Sequence, residues 1–499
     1  MYFLGLDVGT SAVKAALVDE RGKTKGSAAV PLALSTPRPG WAEQDPRSWW
    51  KATLASVARV LAKTRVKGNR VASLGISGQM HSSVFLDAEG KVIRPALLWC
   101  DGRTTEQCRE ITSRVGEANL RDWVCNPALE GFTLPKVLWL ARHEPDAFRR
   151  LGKVVLPKDY VRYRLTGVLA TEPSDASATL MYDTARRRWS AEILEAVGLG
   201  QGLLVDVGGS AEVLGRVSPA SARASGLEAG TPVVGGGADN ACGAVGVGLV
   251  SPGEAVASWG TSGTVLAPTT DPVVDPGMRV HTFCHAVPDT WYLMGVMLTA
   301  GGAFAWHKRE LARELSPAER VDRLLNQEAQ QAPIGALGLT FLPYLQGERT
   351  PHRDAAARGA FVGLSLAHTR AHLTRAVLEG IAFGMRDSLS ILADLRVPVA
   401  RVLLTGGGAR SPSIRRMQAD VYGLDVVRVD NEEGPAYGAA LLAAVGAGAF
   451  PDVSTACRRM IHRQAVKHAD SKAHRAYEEP YGRFRSLYPA LRSIRPPAG

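Results

Sequence analysis

The sequence is poor in cysteine and has no long apolar run. Its 499 residues include six cysteines, and no two of them form a Cys-x-x-Cys pair. Neither a disulfide framework nor a zinc site is therefore expected. No apolar stretch approaches the roughly 20 residues that cross a bilayer, and the first strand-like run begins at Tyr2, which leaves no room for a signal or transit peptide. These absences predict a protein of the reducing cytoplasm that has no membrane partner.

Basic residues exceed acidic residues, but they are not concentrated in one segment. The sequence has 59 lysines and arginines and 48 acidic residues, a formal net charge of +11. No basic stripe interleaved with aromatics is present, so nucleic-acid binding is not expected. We interpret the excess charge as solubility plus some attraction for phosphorylated ligands. The length exceeds the size at which a single core keeps growing, which predicts two domains.

One turn occurs twice, about half a chain apart. Asp7-Val8-Gly9-Thr10-Ser11 follows the first apolar run, and Gly260-Thr261-Ser262-Gly263 follows the run from Ala255 to Trp259. A Gly-Thr-Ser turn between two strands points backbone N–H groups and hydroxyls into one small concavity, which suits phosphate oxygens. A single turn of this kind joins strands for steric reasons in many proteins. Two copies predict two similar domains that face one nucleotide.

The coarse pattern of elements is also similar in the two halves. Residues 3 to 34 predict a three-stranded antiparallel meander, and Asp45 predicts the cap of a helix that precedes a buried strand over Val71–Ile76. Strands, a helix from Ala300 and a later strand that ends in three glycines repeat this order. The apolar face of the first helix is predicted at Trp50, Leu54, Val57 and Leu61. The predicted units are an α/β domain over residues 1–250, a second over 251–450, and one or two packing helices over 451–499.

The most chemically specific segment surrounds Asp239. A β-branched strand at Pro232–Val234 ends in three glycines, and Asp239 then stands at the start of a helix of small residues. The glycines let the backbone approach a ligand closely, and a helix N-terminus favours a negative charge. An isolated aspartate in this setting is more often a helix cap than a catalytic residue. The glycines, the adjacent Asn240 and the paired turns favour a catalytic carboxylate.

Several motifs between Asp7 and about Gly446 resemble those of the FGGY family of carbohydrate kinases. Two of them, Gln79-Met80-His81 and Leu156-Pro157-Lys158-Asp159-Tyr160, favour the members that phosphorylate D-xylulose over the glycerol, ribulose and gluconate kinases. The first of these extends back to Gly78, and the other motifs are Asp7–Ser11, Trp99–Arg103, Gly131–Trp139, the Asp239 segment, Gly347–His352 and Gly359–Glu379.

The resemblance implies an actin-like, ribonuclease-H-like fold of the ASKHA superfamily, with two domains around a central cleft for ATP and sugar. The implied activity is ATP-dependent phosphorylation of D-xylulose to D-xylulose 5-phosphate in D-xylose catabolism. In this activity Asp239 is the general base that takes the proton of the sugar's 5-hydroxyl. Asp7 is the second catalytic carboxylate and holds Mg²⁺, directly or through water, against the phosphates.

The resemblance also assigns binding residues. On the sugar side they are Gln79, Met80, His81 and Asn240, with Asp101 and Arg103 as pocket neighbours, whereas Trp99 is interpreted as core packing. Lys14 is expected on the transferred phosphate, with a solvated strand lysine as an equally weighted interpretation. The remaining residues expected on ATP are Thr10, Ser11, Gly260, Thr261, Ser262, Gly301, Gly302, Gly407 and Gly408.

Two alternatives stay open. One is a kinase for another pentulose or a polyol, which differs only in pocket details. The other is a non-catalytic actin-like ATP-binding regulator, which predicts an appended peptide- or DNA-binding domain and no base beside the sugar pocket. The oligomeric state is undetermined, with a homodimer as one possibility.

Overall fold

Two mixed β-sheets form the centres of the two halves of the protein. This computed structural model describes residues 1–315, 321–429 and 433–494. The first sheet contains β1 (Tyr2–Val8), β2 (Ala12–Asp19), β3 (Thr24–Pro31), β5 (Val71–Gly78), β13 (Val213–Arg216), β14 (Pro232–Val234) and β15 (Gly237–Ala238). The second contains β16 (Gly253–Trp259), β17 (Gly263–Thr269), β18 (His281–Cys284), β19 (Trp291–Met297), β22 (Val399–Gly406) and β23 (Asp425–Arg428).

Short two-stranded pairings complete the described strands. They involve β4 (Glu43–Gln44), β6 (Val84–Leu86), β7 (Ala96–Leu97), β8 (Lys153–Val155), β9 (Ala170–Thr171), β10 (Tyr182–Asp183), β11 (Arg188–Trp189), β12 (Asp206–Val207), β20 (Thr340–Leu342) and β21 (Ala360–Val362).

The two sheets share one strand order. In the first sheet the order β3-β2-β1-β5-β14 places β1 between an antiparallel β2 and a parallel β5. In the second sheet the order β19-β17-β16-β22-β23 places β16 between an antiparallel β17 and a parallel β22. The predicted α/β fold with a pair of similar mixed sheets is therefore confirmed, including the meander over residues 3 to 34.

Helices cover the faces of both sheets. They are α1 (Pro46–Thr64), α2 (Thr105–Val115), α3 (Glu117–Asn119), α4 (Thr133–His143), α5 (Pro145–Arg149), α6 (Pro157–Thr166), α7 (Pro173–Ala176), α8 (Ala191–Val197), α9 (Pro219–Ser225), α10 (Asp239–Gly246), α11 (Gly301–Leu311), α12 (Val321–Gln331), α13 (Arg370–Asp394), α14 (Pro412–Tyr422), α15 (Pro435–Gly446), α16 (Val453–Met460) and α17 (Ser471–Leu491). No helix in the described ranges is long and apolar enough to cross a bilayer.

The first helix shows where the sequence pattern succeeds and where it fails. Asp45 caps α1 as predicted, because its side chain accepts the Arg47 N–H and Pro46 occupies the first helical position. The predicted inner face is partly wrong, since Trp50 is only half-buried and Trp49 is fully buried. The Trp49 indole donates to Gln44 at 2.9 Å, and this bond helps to fix the face that α1 turns toward the sheet.

One helix of the second half lies on the sheet of the first. A Cβ at Gly5 would stand 1.7 Å from the Ala436 carbonyl oxygen, and one at Gly75 would stand 2.1 Å from that of Ala439. The Ser73 hydroxyl donates to the Ala443 carbonyl at 2.6 Å. Because glycines in β1 and β5 allow this contact, α15 packs directly on the first sheet. A helix from the second half of the sequence therefore belongs in space to the first half.

Candidate active site

Two carboxylates meet where three parallel strands end. Val8 at the end of β1 and Ala238 at the end of β15 both pair with Gly78 at the end of β5. Asp7 lies on β1, one residue before its end, and Asp239 is the first residue of α10. The charge of Asp7 contributes to the pKa of Asp239, so the two groups act on each other across this edge.

The segment before Asp239 depends on glycine. Gly236 has a φ of +77°, and a Cβ there would stand 1.8 Å from the Ile76 carbonyl oxygen, so only glycine fits the turn that delivers Asp239. Asn240 donates its backbone N–H and its side-chain amide to Asp239 Oδ1, at 2.8 and 3.0 Å. Burial, with a smaller contribution from Asp7, raises the pKa of Asp239 to about 7. A carboxylate of this basicity can take up a proton near neutral pH.

A buried ionic cluster supports this segment from behind. The Ser174 hydroxyl accepts the Ala238 N–H at 2.9 Å, and Arg162 donates to the Gly235 carbonyl at 2.9 Å. Lys158 is fully buried. It pairs with three carboxylates, those of Asp159 at 2.7 Å, Asp175 at 3.1 Å and Glu172 at 3.5 Å. The Leu156–Tyr160 motif therefore supports the loop that carries Asp239.

Asp7 has an oxygen without a protein partner. Burial raises the pKa of Asp7 to about 6, and the positive charge of Lys14 opposes that rise. Asp7 Oδ1 is buried and has no hydrogen-bond partner. The Lys14 ammonium, which was expected on the transferred phosphate, lies 2.6 Å from Glu433 Oε2. The ammonium has three N–H donors, so this ion pair leaves donors for a phosphate contact.

Side chains hold the first turn in place. Gln79 accepts the Thr10 hydroxyl at 3.3 Å and donates to the Gly9 carbonyl at 3.3 Å. Gln79 is only 2% exposed, so in this conformation it supports the turn and does not face the cleft as expected of a sugar contact. Ser11, by contrast, is exposed at the tip of the turn.

Trp99 contacts the first turn, which sequence reasoning missed. Its interpretation as core packing is wrong, because the residue is 39% exposed and its indole N–H donates to the Thr10 hydroxyl at 2.9 Å. The polar run Cys100-Asp101-Gly102-Arg103 that follows it was the available signal, since polar residues with glycine mark a loop.

Met80 and His81, which were expected to bind the sugar, follow the end of β5 and approach Asp239 through Asn240. The Asn240 amide donates to the Met80 sulfur at 3.3 Å. His81 has a φ of +70°, and Thr133 and Lys136 donate to its carbonyl oxygen at 3.0 and 3.2 Å. Burial lowers the pKa of His81 to about 3, so its ring is neutral.

The tautomer of His81 follows from its neighbours. His81 Nδ1 lies 2.7 Å from the Ala178 carbonyl oxygen, which can only accept, so we assign the ring proton to Nδ1. His81 Nε2 is then a hydrogen-bond acceptor, and it has no partner among the described residues.

Asp101 and Arg103, which were expected as pocket neighbours, are held in buried contacts with one another and with nearby residues. Asp101 accepts the Ala42 N–H at 2.6 Å and pairs with Arg103 at 2.7 Å. Arg103 also pairs with Glu43 at 2.8 Å, and its guanidinium carbon lies 3.6 Å from the ring centroid of Trp41. The Arg103 side chain is 1% exposed and that of Asp101 is 0% exposed, so both are structural in this conformation.

The second turn is held by backbone bonds to the start of α11. Gly301 donates to the Gly260 carbonyl at 2.8 Å, and Ala300 and Gly302 donate to the Thr261 carbonyl at 3.0 and 2.9 Å. The side chains of Thr261 and Ser262 are consequently left exposed.

Two cavities meet beside these groups. A cavity of about 840 Å³ is lined by Gly260, Thr261, Gly301, Gly302, Gly407 and Gly408 among others. A second cavity of about 520 Å³ contains Asp239 and Asn240 and shares Gly407 with the first. A molecule that fills the larger cavity can therefore extend toward Asp239.

Comparison with known proteins shows the family of this chain. The profile of the FGGY family of carbohydrate kinases matches residues 2–246 with its N-terminal domain and residues 255–447 with its C-terminal domain. A xylulose kinase of Bacillus subtilis is 39% identical over 98% of this chain and 96% of its own length. One from Escherichia coli is 40% identical over 98% of this chain and 99% of its own.

A solved structure extends the likeness to the fold. The crystal structure of xylulose kinase from Rhodospirillum rubrum matches with a TM-score of 0.92 and 30% identity, and 99% of each chain is covered. The matching profiles, the repeated sheets and the facing carboxylates agree. The chain belongs to the FGGY family of carbohydrate kinases.

Proposed function

We propose that this protein transfers the γ-phosphoryl group of ATP to the 5-hydroxyl of D-xylulose, which yields D-xylulose 5-phosphate. The observation that carries the proposal is the position of Asp239. It lies in a cavity that continues into a second cavity, which is lined by the pairs Gly301-Gly302 and Gly407-Gly408. The relatives named above are xylulose kinases, which supports the choice of sugar.

Asp239 is the proposed general base. The carboxylate accepts the proton of the 5-hydroxyl as that oxygen attacks the γ-phosphorus. The pKa near 7 supports this role, because a base works best when its pKa lies near the working pH. General-base catalysis of this kind contributes roughly 10² to 10⁴ in rate. The bonds from Asn240 hold Asp239 Oδ1, which leaves Oδ2 for the hydroxyl.

Mg²⁺ fits the donor set around Asp7. Among the described residues no group of three or more His, Cys, Asp or Glu side chains could hold a metal by itself. The buried, unpartnered Asp7 Oδ1 supplies one hard oxygen ligand, and phosphates and water would supply the others. When bound, the ion neutralises developing charge on the phosphate oxygens.

ATP is proposed to occupy the larger cavity with its phosphates toward the two turns. The exposed hydroxyls of Thr261 and Ser262 and the backbone near Gly301 then contact phosphate oxygens, and the Gly407-Gly408 pair lies on the nucleoside side. Thr10, Ser11 and Lys14 approach the transferred phosphate from the first half.

The division of the site between two halves implies closure. Closure excludes water, which competes with the sugar as phosphoryl acceptor. We therefore expect slow ATP hydrolysis in the absence of sugar and a compaction when both ligands bind. Small-angle scattering checks the second point, and identical dimensions with and without ligands would contradict it.

One assay separates the candidate functions. Coupled ADP release is measured with D-xylulose, its epimers, other ketopentoses, and polyols. The proposal predicts that D-xylulose gives the highest kcat/KM. A higher value for another pentulose or a polyol would reassign the substrate, and no sugar-stimulated ADP release with any of them would favour a non-catalytic ATP-binding regulator.

A homodimer and a cytoplasmic location stay predictions. Light scattering coupled to size exclusion tests the first, with twice the chain mass of 53.2 kDa expected. Cell fractionation tests the second.

A further inference from the structure

Arg349 belongs to the second half of the chain but lies against the first. Its loop is anchored on the end of β19, because Glu348 Oε1 accepts the N–H groups of Leu298 and Arg349 at 2.9 and 2.8 Å. Thr350 donates its N–H to the Val296 carbonyl at 2.9 Å. The loop therefore presents Arg349 from a fixed base.

The guanidinium of Arg349 lies close to Gly131, a residue of the first half. Its Nη2 atom lies 4.0 Å from the position that a Cβ at Gly131 would occupy, and the same position is 3.1 Å from the Trp99 carbonyl oxygen. The positive charge of Arg349 also helps to lower the pKa of His81 and that of His281. Arg349 thus faces the first half at the place where His81 and Trp99 lie.

Arg349 makes no side-chain hydrogen bond or ion pair with any residue in the described ranges. Burial lowers its pKa, while the charges of Glu130 and Glu348 oppose that change. The Glu348 oxygen nearest the loop backbone already accepts two N–H groups, and Glu130 accepts the Thr105 hydroxyl at 3.0 Å. Arg349 is only partly buried, so its guanidinium has donors that a ligand with a hydrogen-bond acceptor can take up.

His81 Nε2, the second polar atom near this place without a partner among the described residues, has the opposite hydrogen-bonding role. His81 Nε2 can only accept a hydrogen bond, whereas the nitrogens of the Arg349 guanidinium can only donate. The two groups belong to different halves of the protein and act on each other electrostatically. Their ligand is therefore expected to offer one hydrogen-bond donor and one strong acceptor side by side.

An acyclic ketose offers this combination. When the 5-hydroxyl is the nucleophile, it cannot also close the hemiketal ring of a pentulose, so the reacting sugar has a free carbonyl at C2. The C2 oxygen only accepts, and the C1 hydroxyl beside it can donate. An alditol carries hydroxyls at both positions, and the hydrogen of its C2 hydroxyl must then find another acceptor.

We propose that Arg349 determines specificity for ketoses, by donating to the C2 carbonyl oxygen while His81 Nε2 accepts the C1 hydroxyl. This inference rests on the proposed phosphorylation of a pentulose. It predicts that the second half of the protein contributes to the choice of sugar as well as to ATP binding.

The test compares substrates that differ only at C2. D-Xylulose is measured against xylitol and D-arabinitol, its two C2 reduction products, with wild type, Arg349→Gln and Arg349→Lys. Arg353→Gln is the matched control, because Arg353 is an exposed arginine of the same loop. Thermal unfolding midpoints establish that each variant is folded.

Arg349→Gln is expected to lower kcat/KM for D-xylulose by about 10- to 100-fold, the range for a lost hydrogen bond from a charged group. Its kcat/KM for the alditols and its KM for ATP should change less than about threefold. Arg349→Lys should recover part of the ketose activity, and Arg353→Gln should behave as wild type. Equal losses for ketose and alditols, or no loss, would overturn the inference.

A further variant tests whether Arg349 selects the sugar or only forms an ion pair that holds the closed form. If Arg349 only bridges to Glu130 on closure, Glu130→Gln will reproduce the effect of Arg349→Gln on ketose and alditols alike, which would overturn the inference. If the wild-type protein phosphorylates D-xylulose and Arg349→Gln keeps the same preference for the ketose over the alditols, the inference is refuted but the proposed function stands. Wild type without activity on any ketose refutes the proposed function as well.

Discussion

The two halves use the same turn in different ways. In the first, Asp7 precedes Gly9-Thr10-Ser11, and side chains of Gln79 and Trp99 hold the turn. In the second, the position that corresponds to Asp7 is Ser258, and backbone bonds from the start of α11 hold Gly260 and Thr261. The first turn carries charge and fixed side chains, whereas the second leaves two hydroxyls exposed. The two sheets therefore carry similar turns, and only the first turn is preceded by an acid at this position.

Conversion of the first turn into the second should have the largest effect. Asp7→Ser removes the carboxylate and leaves the side chain found at position 258. We expect kcat to fall by about 100-fold or more and the Mg²⁺ concentration for half-maximal rate to rise, because a metal-directed oxygen is lost. Steady-state kinetics over a Mg²⁺ titration measures both.

The reciprocal change is the control. Ser258→Asp adds an acid to the second turn without the Lys14 neighbour, so it should weaken ATP binding and bring no gain in rate. If Asp7→Ser kept the wild-type rate and Mg²⁺ response, the asymmetry between the turns would have no catalytic meaning.

The pH dependence should show the basicity of Asp239. Its pKa is raised, so the carboxylate that accepts the proton is present above about pH 7 and is lost as the pH falls below that value. We expect kcat/KM for the sugar to fall about tenfold per pH unit on the acid side. A profile that is flat from pH 5 to 8 would contradict this assignment.

Removal of Ser174 should have a moderate effect. Ser174→Ala takes away the acceptor of the Ala238 N–H next to Asp239, so we expect kcat to fall about tenfold through misplacement of the base, with the KM for ATP unchanged. The matched control is Ser225→Ala, a buried serine whose hydroxyl donates within its own helix to Ser221. An equal response of the two variants would indicate a general loss of stability only.

The smallest expected effect concerns the exposed hydroxyls. Thr261→Ala should raise the KM for ATP about fivefold, the value of one neutral hydrogen bond, and leave the KM for the sugar unchanged. Thr10→Ala should raise both KM values, because Thr10 also accepts from Trp99. Identical kinetic signatures for the two threonine variants would remove the distinction between the turns.

The parts of the site that local pattern encodes could be predicted from the sequence. Strand ends followed by glycine and an acid identify Asp7 and Asp239, because the position of a turn after an apolar run is local information. Asp45 was recognisable as a helix cap for the same reason. The roles of these residues came from the family resemblance.

Other features depend on contacts between distant segments. Asp101 accepts a hydrogen bond from Ala42, and Arg103 contacts Glu43 and Trp41. No local sequence pattern connects these residues. The placement of α15 on the first sheet depends on two strand glycines whose purpose appears only when the helix is present. Exposure of Trp99 likewise follows from its bond to Thr10, a residue 89 positions away.

The central claim is that Asp239 takes the proton of the sugar hydroxyl, and Asp239→Asn tests it most directly, because the amide keeps the shape but removes the basicity. Sugar-dependent ADP formation is measured beside ATP affinity from calorimetry. The account predicts a loss of at least about 100-fold in kcat with ATP affinity nearly unchanged. A variant that keeps more than about a few per cent of the wild-type kcat would contradict it, because the loss of a general base should lower the rate further.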